Sequence, residues 1–85
     1  MIKKKVTIVN EHGLHALPAS RFVKRAEKFK SEVKIMKEGV EVSGKSIMGI
    51  LTLACEKGCT VIITCDGKDE KEAMRDLSKM LEGQD

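Results

Sequence analysis

A chain of 85 residues, 41% of them apolar, can fill one small core, so a single domain over 1–85 is expected and an enzyme with its own deep cleft is not. The formal net charge of +3 favours acidic protein partners without requiring a polyanion, and with only Phe22 and Phe29 as aromatics the stacking platform of a nucleic-acid binder is missing. The basic start Met1-Ile2-Lys3-Lys4-Lys5 is followed by no apolar run of signal-peptide or membrane-spanning length, so a soluble cytoplasmic protein with no membrane contact is expected.

Ile2, Val6 and Ile8 alternate with Lys3, Lys5 and Thr7, the period-two pattern of a strand with one buried face. Asn10 to Gly13 read as a polar loop. From Ala16 onward, Ala19, Phe22, Val23, Ala26 and Phe29 form a helical stripe, with Arg21, Lys24, Arg25 and Lys28 expected on the opposite side. Pro18 is tolerated because the first helical turn needs no N–H bond. Val33 and Ile35 mark a second strand, Gly39 a turn, and Val40 with Val42 a short third strand.

Ser46 is a good N-cap for a short helix through Ile47, Met48, Ile50, Leu51 and Leu53, expected to end near Gly58. Val61 to Ile63 form a continuous apolar run, as in a strand covered or flanked on both sides. After a turn at Asp66-Gly67, Asp69 and Glu72 resemble a capping pair for a last helix with Ala73, Met74, Leu77, Met80 and Leu81 as its core stripe. The order strand, helix, strand, strand, helix, strand, helix predicts an α+β fold. It is expected as an open-faced β-sandwich with a four-stranded antiparallel sheet and three helices on one face.

His15 stands where Ser, Thr, Asp or Asn normally caps a helix, so the first helical N–H groups are left for another acceptor. An imidazole nitrogen is a nucleophile near neutral pH, and a helix N-terminus stabilises an anion by roughly 0.3 to 2 kcal/mol. Together they describe a phosphoryl acceptor beside a phosphate seat. Asn10, Gly13-Leu14-His15-Ala16 with Pro18-Ala19, and Gly44-Lys45-Ser46-Ile47-Met48-Gly49 give the chain a full-length resemblance to the histidine-containing phosphocarrier family, HPr, of the bacterial sugar phosphotransferase system.

The resemblance implies that His15 accepts a phosphoryl group on Nδ1 from the acidic enzyme I, itself charged from phosphoenolpyruvate, and passes it to sugar-specific enzyme II components such as enzyme IIA. It implies backbone N–H groups of Ala16 and Leu17 as the phosphate seat. It also implies a stoichiometric carrier that is not an independently turning-over enzyme, with no cofactor. Such a carrier must expose its histidine to successive partners, and a monomer is expected. One position departs from the family pattern: the residue after Ala16 is normally arginine and here is Leu17, which by helical phase lies about 200 degrees from Ala19 and faces outward. Two consequences stay open. Transfer can rest on the backbone N–H groups and neighbouring lysines, or the chain can be a divergent regulatory relative acting through Ser46 and its apolar helix.

In many Gram-positive members the serine equivalent to Ser46 is phosphorylated by a dedicated kinase, so the resemblance implies HPr kinase/phosphorylase and a transcriptional regulator as further partners. A phosphoserine is tolerated at a helix start, so docking should change and the fold survive. Ile47, Met48 and Leu51 spread beyond one core-facing stripe and are candidates for a docking patch, with Arg21 and Lys24 as its cationic rim.

Two other patterns carry less. Gly39 to Ser46 match G-x-x-x-x-G-K-S, but Val40, Glu41 and Val42 alternate as a strand where a phosphate-binding loop needs a glycine-rich cradle. His12 and His15 are spaced like a metal pair, yet the remaining ligands of a closed site are lacking and no metal is expected. Cys55, Cys59 and Cys65, odd in number and without C-x-x-C spacing, read as free and largely buried thiols.

Overall fold

The computed structural model describes residues 1–9, 11 and 13–83. Its elements run β1 (Ile2–Thr7), α1 (Ala16–Glu27), β2 (Glu32–Lys37), β3 (Val40–Ser43), α2 (Ile47–Thr52), β4 (Thr60–Asp66) and α3 (Glu70–Leu81). This is the expected α+β order. All strand pairs are antiparallel and the sheet order is β1-β4-β2-β3, so the last strand in sequence is inserted between the first two.

That insertion explains the apolar run at 61–63. Val61, Ile63 and Cys65 are buried while Ile62 between them is only half-buried, so β4 is flanked by a strand on each side but covered on one face. Its inner row meets Val6 across β1, and Ile35 and Val33 across β2, which aligns the buried faces of three strands. The helices close this face with Phe22, Ala26, Ile50, Leu77 and Leu81, all fully buried. Glu38 and Gly39, both at positive φ, form the two-residue turn between β2 and β3, a geometry matched to the twist of a hairpin.

Cations close two helix ends. The Lys45 ammonium donates to the Phe29 carbonyl beyond α1 at 2.8 Å, and Lys37 donates to the Leu53 and Ala54 carbonyls beyond α2 at 3.1 and 3.4 Å. Lys45 of the Gly44-Lys45-Ser46 motif is therefore occupied structurally. Gly44 is equally structural: its N–H bonds the Val33 carbonyl at 2.7 Å, and a Cβ there would lie 2.5 Å from Val33 Cγ1.

Three local expectations change. The second helix ends at Thr52, well before Gly58, because Ala54 turns to φ +51° and breaks the ladder, while Gly58 at φ +89° serves the turn into β4. Asp69 sits at the α3 N-cap without capping it; its carboxylate instead accepts from the N–H groups of Lys30 and Ser31, at 2.8 and 2.9 Å, and from the Ser31 hydroxyl. The α3 start is served by Glu70, whose Oε1 accepts from Gly67 N–H at 3.1 Å, with Glu72 left exposed. Arg25 does not belong to the solvated cationic face. It is half-buried and pairs with Asp76 of α3 at 3.3 Å.

Candidate functional site

The turn into α1 is built by two residues before His15. Gly13 lies at φ +61°, and a Cβ there would come within 2.4 Å of the Cys55 carbonyl oxygen and 2.7 Å of Glu56 Cα. Only glycine fits that approach. Leu14 then drops fully into the core, and its N–H bonds the Cys55 carbonyl at 2.9 Å. With Leu14 pointing in, His15 is left outside.

His15 occupies the N-cap position with extended backbone (φ −89°, ψ −165°) and makes no side-chain cap bond. Its carbonyl accepts from Ala19 N–H at 2.8 Å, so the helix ladder begins there. Pro18 contributes no N–H. The N–H groups of Ala16 and Leu17 are thus the donors at this helix end, and no acidic side chain occupies its first turn. An exposed imidazole beside such an end can hold an anion in contact with a nucleophile.

Folding adds two residues that the sequence did not point to. Together with Glu11 of the preceding loop, Glu56 and Lys57 line a shallow depression around His15. The segment bearing Glu56 and Lys57 is held by two other parts of the chain, Cys55 by Leu14 and Gly58 by the Ile8 carbonyl at 2.7 Å, and is closed on itself by Cys59 N–H donating to the Glu56 carbonyl at 3.0 Å. No local pattern marks Glu56 and Lys57, since their nearness to His15 arises from a backbone contact between distant segments.

Ser46 caps α2 as expected, its hydroxyl accepting from Gly49 N–H at 3.0 Å. Helix α2 packs on α1. On these adjoining helices Leu17 is 63% exposed, Met48 72% and Ile47 41%, and Arg21 and Lys24 are exposed as well. Leu51 is different: it is half-buried and packs against the core beside fully buried Ile50. Residues 40–43 form β3, so the G-x-x-x-x-G-K-S match has no cradle.

The three cysteines are free, with Cys55 and Cys65 buried and Cys59 half-buried. Burial, and then a hydrogen bond with the Cys59 thiol, push the Cys55 thiol up to about 12; burial, and then Glu70 and Asp69, raise Cys65 to about 11. Both therefore stay protonated and inert at neutral pH. Asn10 and His12 lie outside the described residues, and among those described no three His, Cys, Asp or Glu side chains come together as a metal site. No helix among them is long and apolar enough to cross a membrane.

The family model described as PTS HPr component phosphorylation site matches residues 2–83. The chain is 45% identical to a phosphocarrier protein HPr of Neisseria meningitidis over 98% of its length and 93% of that relative's. It is 43% identical to an HPr-like protein Crh of Halalkalibacterium halodurans, with 96% and 98% covered. Among solved structures, a phosphocarrier protein HPr from Bacillus anthracis superposes with a TM-score of 0.92 at 39% identity, covering 94% of this chain and 95% of that one. Fold, whole-chain family match and identity agree, and the chain belongs to the HPr family of phosphocarrier proteins.

Proposed function

We propose that His15 is the phosphoryl acceptor of a relay from enzyme I to enzyme II components such as enzyme IIA of the phosphotransferase system. The observation that carries this reading is an exposed histidine at a helix start that its own side chain leaves uncapped, with Pro18 removing one competing donor. In the forward step the Nδ1 lone pair attacks phosphorus, the N–P bond forms, and the bond to the enzyme I donor breaks. In the onward step the acceptor on the next protein attacks phosphorus and Nδ1 leaves. The N–H groups of Ala16 and Leu17 hold the phosphoryl oxygens throughout. Neutral backbone donors suit a carrier, because a seat that stabilised the phospho-form too strongly would slow its release.

The docking surface in this reading is Leu17, Ile47 and Met48, edged by Arg21 and Lys24, with Leu51 supporting it from below. Exposed apolar side chains on two packed helices support it. Phosphorylation of Ser46 by an HPr kinase/phosphorylase would leave the cap oxygen in place while adding about −1.5 to −2 charge beside Ile47. An acidic partner would then be repelled, and a basic face on a transcriptional regulator recruited. The carrier is read as a cytoplasmic monomer.

A second reading has its own support. Leu17, exposed and uncharged where the family pattern has arginine, supports a regulatory module acting through Ser46 and the α2 surface without efficient transfer at His15. The chain is also similar to an HPr-like protein Crh. One assay divides the two. Incubation with enzyme I and phosphoenolpyruvate should give acid-labile phosphate that disappears in His15→Ala. Absence of label on the unaltered protein would favour the regulatory module, and label persisting in His15→Ala would move the acceptor elsewhere. Leu17→Arg in the same assay measures what the leucine costs the transfer.

A further inference from the structure

A dianionic phosphoryl group on His15 would face a charge problem that the helix end does not solve alone. Leu17, the residue nearest the seat on the outward face, is exposed and uncharged. Arg21 and Lys24 leave the helix about 6 and 10 Å further along its axis than Leu17, at about 1.5 Å per residue, and neither lines the depression around His15. The depression around His15 carries two carboxylates, Glu11 and Glu56, which oppose a dianion. Among the described residues lining it, the one cation is Lys57.

We infer that Lys57 is the charge partner of the phosphoryl group on His15, reaching over the depression from the segment before β4 to supply the positive charge that Leu17 does not. This rests on the reading of His15 as phosphoryl acceptor. The loop is suited to the task because its backbone is pinned on either side of Lys57 while the side chain stays exposed and enters no salt bridge with a described carboxylate. The Leu14 N–H to Cys55 carbonyl bond and the close approach of Gly13 to Glu56 hold this segment against the His15 turn. A solvated lysine is a modest, salt-screened partner, in keeping with a phosphoryl group that must leave again.

The test compares the unaltered protein with Lys57→Met and Lys57→Arg, each phosphorylated in parallel by enzyme I with phosphoenolpyruvate and chemically by potassium phosphoramidate. His15→Ala assigns the phosphohistidine signal. A phosphorus NMR titration then reads the second ionisation of the phosphoryl group, which a merely structural loop residue would not move. Loss of the nearby cation in Lys57→Met should weaken that ionisation about three- to fivefold and slow transfer from enzyme I by a similar factor, both recovering in Lys57→Arg. The difference should shrink in 1 M salt. Equal ionisation constants in the unaltered protein and Lys57→Met would overturn the assignment while leaving His15 as acceptor. If neither donor labels His15 in the unaltered protein, the acceptor reading falls and the charge partner with it. If phosphoramidate labels and enzyme I does not, the titration still decides the role of Lys57.

Discussion

The N–H of Leu14 donates to the Cys55 carbonyl at 2.9 Å, tying the turn that carries His15 to the segment between α2 and β4. Through this bond a candidate site at a helix start becomes a depression with two walls. One wall is Glu11 and His15, just before α1; the other is Glu56 and Lys57.

Gly13 is the position where this junction has least tolerance. Gly13→Ala places a methyl group 2.4 Å from the Cys55 oxygen on a backbone at φ +61°. Both faults concern backbone atoms, so relief requires the two loops to separate. A loss of about 2 to 4 kcal/mol is expected in urea unfolding. A change below about 0.5 kcal/mol would show that the loops are not packed this closely.

Ser46→Ala removes the acceptor of Gly49 N–H, a bond of 3.0 Å. Loss of an N-cap costs about 1 kcal/mol, and Ser46→Asp should recover most of it because a carboxylate oxygen can take the same N–H. Equilibrium unfolding of the three proteins checks the order. Equal stability of Ser46→Ala and the unaltered protein would leave the cap without energetic weight.

The Asp69 carboxyl is held below its ordinary value of 3.8, first by the Ser31 hydroxyl and then by the Lys30 and Ser31 N–H groups. A depressed carboxyl contributes stability that is present above its unfolded value and is lost as pH falls through the folded one. Thermal midpoints of the unaltered protein should therefore fall below about pH 4 relative to Asp69→Asn, narrowing the gap between them. A gap independent of pH from 7 to 2 would remove Asp69 from the acid response.

Iodoacetamide at pH 8 should modify Cys59 first in the folded protein, because Cys55 and Cys65 are buried and their thiols are raised to about 12 and 11. Mass spectrometry should show one fast adduct, and all three in denaturant. Fast labelling of Cys55 in the folded state would indicate that the segment before β4 opens readily.

Met48→Glu tests docking separately from folding. At 72% exposure the side chain contributes little to the core, so stability should stay within about 0.5 kcal/mol. A new carboxylate facing an acidic enzyme I should raise its KM about fivefold or more with little change in kcat. An unchanged KM would place the docking surface elsewhere.

The elements were legible in the sequence because periodicity is local. Alternation over residues 2–8, the stripe from Ala19 to Ala26 and the core positions of α3 each depend on neighbours a few residues away, and the structure buries them as the pattern requires. His15 at a helix boundary and Ser46 as a cap were readable for the same reason. Misreadings came where a polar group had a local and a distant partner to choose from. Asp69 left its own helix for Ser31, and Arg25 turned to Asp76; the early end of α2 has a different cause, the positive φ of Ala54.

The insertion of β4 between β1 and β2 and the arrival of Glu56 and Lys57 beside His15 belong to the tertiary structure. A side chain's period records which face of its own element is buried, but not what approaches from the rest of the chain. That is decided when the cores of all the elements close together, and here the closure brings Lys57 to the same depression as His15, far from it in sequence.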